Sequence, residues 1–262
     1  MRAIGTIVGV LLMGATMSEA AVVTKTLDYD YDGTKFKGFL AYDDAIQGPR
    51  PGVLVVHEWW GLNEYARQRA RMLAELGYTA FAVDMYGEGK TATHPNDAAA
   101  MAGKVRENEK VWLGRAKAGL EVLKSQPQTD PKRLAAIGYC FGGQTALKLG
   151  FSGADLAAVV SFHGALPVPT AEQVAGLKAK LLICHGALDS FIPQEVINQF
   201  RQALDAGKAR YKFIAYEGAY HSFTVPEADK AGVKGLAYNK QADEQSWAEM
   251  KALFQEVFAT RP

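Results

Sequence analysis

The chain has 262 residues, 48% of them hydrophobic, which is enough apolar material for one α/β domain with a full-sized core. Lysine and arginine total 29 against 28 acidic residues, a formal charge of +1, with no long basic or acidic run. That balance gives no footprint for nucleic acid or an anionic membrane surface, and small charge clusters such as Arg67, Arg69 and Arg71 read as solvated faces.

Residues 1–20 stand apart. Arg2 precedes an uncharged stretch from Ala3 to Met17, centred on Ile7-Val8-Gly9-Val10-Leu11-Leu12-Met13, and Ser18-Glu19-Ala20 places small residues before a cleavage point. This is the pattern of a secretory signal peptide, and the apolar run is short for a bilayer span, which needs about twenty residues. The expectation is a periplasmic or secreted protein with no stable membrane insertion, beginning at Ala21; an uncleaved anchor is the alternative. N-terminal sequencing of the exported protein checks it, and Met1 on mature cytoplasmic protein would refute it. Removing residues 1–20 leaves the net charge unchanged, because Arg2 and Glu19 leave together.

Residues 21–262 read as one domain. Val22 to Asp30 and Phe36 to Tyr42 form a hairpin around Asp32-Gly33. Gly52 to His57 is a continuous apolar strand, as expected when both faces are covered. Glu64 to Leu76 is an amphipathic helix ending at Gly77, and Thr79 to Val83 the next strand. Asn96 to Lys124 is helical, with kinks expected near Gly103 and Gly114. Strands follow at Leu134 to Ile137, Ala157 to Phe162, Lys180 to Cys184 and Tyr211 to Tyr216, and helices at Gln194 to Ala206 and Asn239 to Phe258. Strands alternating with helices predict a mostly parallel sheet with helices on both faces.

Gly138-Tyr139-Cys140-Phe141-Gly142-Gly143 has the spacing of a nucleophile elbow, with cysteine where serine is usual. Strand before and helix after would lift the thiol out of the sheet at a helix N-terminus, where the dipole favours a thiolate. Asp189 and His221 follow at the ends of later strands, the chain order of an α/β-hydrolase. His221 would take the proton from Cys140 or hold an ion pair with it, and Asp189 would fix the imidazole tautomer. The backbone N–H groups of Trp59 and Phe141 would form the oxyanion hole. Trp60, Tyr86, Phe191 and Phe223 fall near strand ends and are candidates, with Trp59, to line an apolar substrate pocket. His57, His163 and His185 also sit at strand ends, but no short ligand spacing occurs, so no metal and no cofactor is implied. Cys184 reads as a small buried hydrophobe separated from Cys140 by one strand, too far for a disulfide.

These motifs, with His57-Glu58-Trp59-Trp60-Gly61-Leu62-Asn63 and Gly218-Ala219-Tyr220-His221-Ser222-Phe223, resemble the dienelactone hydrolase family, a cysteine branch of the α/β-hydrolases, over nearly the whole mature chain. The resemblance implies that Glu58 contacts the resting thiol and helps activate it. It also implies two arginines that hold a substrate carboxylate. Glu88 and Val225 stand at the matching positions, so a different, less anionic ester or lactone is expected, with Lys90 a partial substitute. A thioesterase of the same fold, a thiol redox sensor using Cys140 and a non-catalytic binding module are the alternatives; no C-x-x-C motif supports the redox reading. The natural substrate and the oligomeric state are not legible in the sequence.

Overall fold

A computed structural model describes residues 22–259, so the expected signal peptide lies outside the described residues. β1 (Val22–Tyr31) and β2 (Thr34–Asp43) pair antiparallel across Asp32-Gly33. Both turn residues have positive φ, 50° and 71°. A type I′ turn requires this, and Asp followed by Gly adopts it at low cost.

The chain continues through β3 (Arg50–Val56), α1 (Glu64–Glu75), β4 (Thr79–Val83), α2 (Pro95–Arg106), α3 (Glu109–Lys124), β5 (Thr129–Tyr139) and α4 (Phe141–Phe151). It ends through β6 (Ala158–Phe162), α5 (Ala171–Ala175), β7 (Lys180–Gly186), α6 (Gln194–Ala206), β8 (Tyr211–Tyr216), a 3₁₀ turn at Ala228–Ala231 and α7 (Lys240–Ala259). The eight strands form one sheet in the order β1-β2-β4-β3-β5-β6-β7-β8. The last six in that order are mutually parallel, and β2 joins β4 antiparallel. This is the expected α/β-hydrolase sheet, and β6 runs between the strands that carry Cys140 and Cys184, both of which are free thiols.

Alternate side chains of each parallel strand feed opposite cores. Leu54 and Val56 pack with α3, α4 and α6 through Leu120, Leu147 and Phe200. Val53 and Val55 pack with α1 and α7 through Leu73 and Phe254. Both faces are therefore dry, which is why these strands are continuous apolar runs.

Three expectations are corrected. The helical stretch after Pro95 breaks at Glu107-Asn108, because Asn108 caps α3 by accepting the Val111 N–H at 3.1 Å. Gly114 sits inside α3 without a break: a Cβ there would fall 1.8 Å from Tyr31 Oη, so the glycine admits the hairpin. Arg69 is not solvated. It lies on the buried stripe of α1 with Ala66, Ala70 and Leu73, pairs with Asp243 of α7 at 2.6 Å and donates to the Thr224 carbonyl at 2.8 Å. Arg67 and Arg71 cover the Phe39 ring instead. The short α5, closed by a Thr170–Gln173 capping box, had not been foreseen.

Arg69 thus ties α1 and α7 to the backbone just beyond His221. Removing one partner of a buried pair leaves the other charge uncompensated, so Arg69→Ala is expected to cost about 3–5 kcal/mol. Urea unfolding at constant m measures it; a loss near zero would show that the pair is idle.

Candidate active site

The turn between β5 and α4 is built around one strained residue. Cys140 has φ 52° and ψ −112°, a conformation that non-glycine residues rarely adopt. Its N–H donates to Phe162 O at 3.0 Å and its carbonyl accepts from Gln144 N–H at 3.2 Å. The surroundings leave no alternative. A Cβ on Gly138 would lie 2.0 Å from Gly142 O, one on Gly142 2.1 Å from Val56 O, and one on Gly143 2.6 Å from Ser161 Oγ.

The loop after β7 presents Asp189. Its Oδ1 accepts the Phe191 N–H at 2.9 Å, which leaves Oδ2 to meet His221 Nδ1 at 2.7 Å. On the other side of the ring, Nε2 lies 3.1 Å from Cys140 Sγ. Asp189 and His221 are both buried. Burial opposes a charge on His221, but the Cys140 sulfur and the Asp189 hydrogen bond outweigh it and hold its pKa well above the ordinary 6.5. The arrangement therefore favours an imidazolium beside the sulfur, the form in which a cysteine is nucleophilic.

Glu58 is placed differently from the expectation. Its carboxylate accepts from Ser222 Oγ at 2.8 Å and lies 3.8 Å from His163 Nδ1, while Cys140 Sγ takes His221 as its partner. Burial raises the Glu58 pKa and lowers that of His163 well below its usual value. Burial therefore disfavours charge on both groups, and His163 Nε2 bonds Thr224 Oγ1 at 2.7 Å.

The Trp59 and Phe141 amides, the expected oxyanion donors, have no hydrogen-bond acceptor among the described residues. For Phe141 this is the first free N–H of a helix. Both residues line a cavity of about 220 Å³ with Cys140, His221, Phe191 and Ile192. A larger cavity, about 640 Å³, lies beside it and includes Glu58, Trp60, Ser222 and Val225 but neither Cys140 nor His221. The smaller one holds the reactive groups and is the candidate substrate site; Leu236 borders both.

Of the expected pocket residues, Trp59 and Phe191 are in place, and the Phe191 ring stands 5.1 Å from the His221 ring. Trp60 faces the neighbouring cavity. Tyr86 stands behind Trp59 and donates to its carbonyl at 2.7 Å. Phe223 is fully buried against His163 and Tyr216 and lines neither cavity. Glu88 is exposed and paired with Lys90 at 2.7 Å, so neither faces the thiol. Sequence reasoning missed Ala165, Ile192, Val233, Leu236 and, the one charged residue among them, Arg106. The last residue of α2, it lines the cavity with its guanidinium 5.3 Å from the Phe141 ring centre. No local motif marks it, because only the packing of α2 against the elbow brings it there. Among the described residues no group of three or more His, Cys, Asp or Glu is placed to hold a metal, and no helix is long and apolar enough to cross a membrane.

Sheet order, elbow and strand-end placement define an α/β-hydrolase. The chain belongs to the dienelactone hydrolase family, whose model matches residues 36–258. It is therefore a hydrolase of ester or lactone bonds. A protein of Escherichia coli O157:H7 described as "Putative carboxymethylenebutenolidase" is 29% identical over 252 residues, covering 90% of this chain and 88% of that one. The solved structure "m3DLH" is 39% identical with a TM-score of 0.87, over 90% of this chain and 99% of that one. The dienelactone hydrolase-like promiscuous phosphotriesterase P91 from metagenomic libraries is 37% identical with a TM-score of 0.88 and the same coverage.

The state of Glu58 has a pH signature. An acid whose pKa is raised by folding binds more protons folded than unfolded, so stability falls as pH rises above the unfolded value. Glu58→Gln keeps the acceptor for Ser222 and removes that penalty. It is expected to stabilise the protein at pH 7 and to give no gain below about pH 4.5, the ordinary value for this carboxyl. Urea unfolding across pH measures the difference; a constant offset would mean that folding does not shift the Glu58 titration.

Proposed function

We propose that Cys140, His221 and Asp189 act as a catalytic triad on an ester or lactone, through a thioester acyl-enzyme. The observation that carries this reading is the unbroken chain from Cys140 Sγ to His221 Nε2, at 3.1 Å, and from His221 Nδ1 to Asp189 Oδ2, at 2.7 Å. The thiolate attacks the carbonyl carbon, and the Trp59 and Phe141 amides receive the oxyanion. Collapse breaks the bond to the alkoxide, which takes the proton from the His221 imidazolium. His221 then removes a proton from water, hydroxide adds to the thioester, and the carboxylic acid leaves as the Cys140 thiolate returns. A thioester substrate would follow the same steps with a thiolate leaving group.

The pocket walls, Trp59, Phe141, Phe191, Ile192 and Leu236, are apolar and favour a neutral acyl or aryl group. Arg106 supports a second reading, in which one substrate carboxylate is held at the rim. The leader-like order of residues 1–20 supports an exported enzyme.

A panel of a neutral aryl ester and a carboxylate-bearing lactone, run on wild type, Cys140→Ala and Arg106→Gln, tests these points. Cys140→Ala is expected to abolish turnover of both, and retained turnover would sink the mechanism. The neutral ester is expected to show the higher kcat/KM. If Arg106→Gln selectively lowers turnover of the lactone, by about tenfold or more as a lost charge-assisted bond requires, the second reading stands.

A further inference from the structure

We propose that His57, with Tyr86, is a positioning residue for the oxyanion hole: it clamps the Glu58–Trp59 peptide so that the Trp59 N–H faces the reacting carbonyl. This rests on the cysteine-hydrolase reading above. His57 follows β3 and is completely buried. Its Nε2 lies 3.1 Å from the Met85 backbone nitrogen. That nitrogen can only donate, so Nε2 carries the lone pair and Nδ1 the proton. Nδ1 therefore donates to Glu58 O, at 2.5 Å. Burial lowers the His57 pKa to about 4, so this tautomer persists at neutral pH.

Glu58 O also accepts the Gly61 N–H at 3.3 Å. Tyr86 Oη donates to Trp59 O at 2.7 Å, and Ala92 N–H donates to Trp60 O at 2.9 Å. Three consecutive carbonyls are thus held while the Trp59 N–H between them is left free. In a planar trans peptide the carbonyl and the N–H point in opposite directions. A hydrogen bond that fixes Glu58 O therefore aims the Trp59 N–H away from the His57 ring. The other face of the arrangement is tied to the same side chain: the His57 ring stacks on the Phe141 ring, 6.0 Å between centres and 21° apart in plane. One buried imidazole thus touches the segments that supply both donors. A donor held in place before the oxyanion forms costs no reorganisation during the reaction, which is where such sites gain their rate.

The test separates oxyanion stabilisation from thiol reactivity. Iodoacetamide alkylates Cys140 by displacement at carbon and forms no oxyanion, whereas ester turnover forms one. The purified full chain is compared with His57→Leu, His57→Asn and Tyr86→Phe for kcat, KM and alkylation rate, with thermal unfolding as a folding check. His57→Leu is expected to lower kcat by about tenfold to a hundredfold, with KM and the alkylation rate within about threefold of wild type. His57→Asn should recover part of the loss, since its Nδ2 stands where His57 Nδ1 does and can donate to Glu58 O. Tyr86→Phe should show a smaller loss of the same kind. Where His57→Leu does not fold, the other two variants decide. Alkylation and kcat falling together, or neither moving, overturns the inference. Wild type without ester turnover overturns the parent reading as well, whereas wild-type turnover with unaffected variants overturns this inference alone.

Discussion

Everything at the site depends on one strained backbone residue. Cys140 at positive φ is a costly conformation, of the order of 1–3 kcal/mol, and persists only where the surroundings over-determine it. Here they do. Gly138, Gly142 and Gly143 allow α4 to approach β3, β5 and β6 until any added Cβ would meet backbone or Ser161. Parallel pairing of β5 with β3 and β6 fixes the strand that enters the turn. The strain turns the sulfur toward the loops from β7 and β8 and leaves the first amides of α4 free. The same constraint that orients the thiol also leaves the Phe141 N–H free, so the candidate nucleophile and the candidate oxyanion donor are consequences of one turn.

Behind the triad lies a second layer that is polar and buried. Glu58 meets Ser222, the residue after His221, and Thr224 meets both His163 and Tyr65. Arg69 holds the Thr224 carbonyl and reaches Asp243. The segment around His221 is therefore gripped from β3, β6, α1 and α7 before any substrate arrives. Buried polar groups are costly unless partnered, and this cluster is stable because nearly every member has a partner. Burial disfavours charge on Glu58 and on His163, while the Ser222 hydrogen bond and the nearby His221 and Arg69 favour the Glu58 carboxylate.

The parts of this design legible in the sequence are those with a local cause. Apolar runs dictate strands buried on two faces, so Gly52 to His57 and Ala157 to Phe162 could be read directly, each within about two residues of its observed ends. The elbow shows in its glycines because the turn tolerates nothing larger. Chain order points to Asp189 and His221 because each follows a strand of a parallel sheet. The remainder depends on direction, which composition does not encode. Phe223 and Phe191 are both aromatic and both near strand ends, yet one fills the core against Tyr216 and the other stands over His221. Arg69 is as charged as its neighbours Arg67 and Arg71, but helical phase turns it inward onto Asp243. Arg106, the last residue of α2, reaches the pocket through tertiary packing that no local pattern encodes, with its guanidinium beside the Phe141 ring.

The two sides of the pocket are built by different means, and this bears on which side sets specificity. The Trp59 side is held by hydrogen bonds to consecutive carbonyls, from His57, Tyr86 and Ala92, and has no room to change without moving the amide. The opposite side comes from the segment after His221, through Val233 and Leu236. That segment is joined to the site by a bridge between His221 and Leu236 and by the Ala237 N–H to the His221 carbonyl at 3.2 Å. Its turns use Gly232 and Gly235 at positive φ, and a Cβ on Gly235 would come within 3.1 Å of the Phe191 ring. Val233 and Leu236 thus contribute side chains to the pocket, whereas the Trp59 side is set by backbone hydrogen bonds. Leu236 also borders both the 220 Å³ pocket and its 640 Å³ neighbour. A smaller residue at 236 is therefore expected to widen the 220 Å³ pocket toward its neighbour, while the Trp59 side keeps its backbone hydrogen bonds.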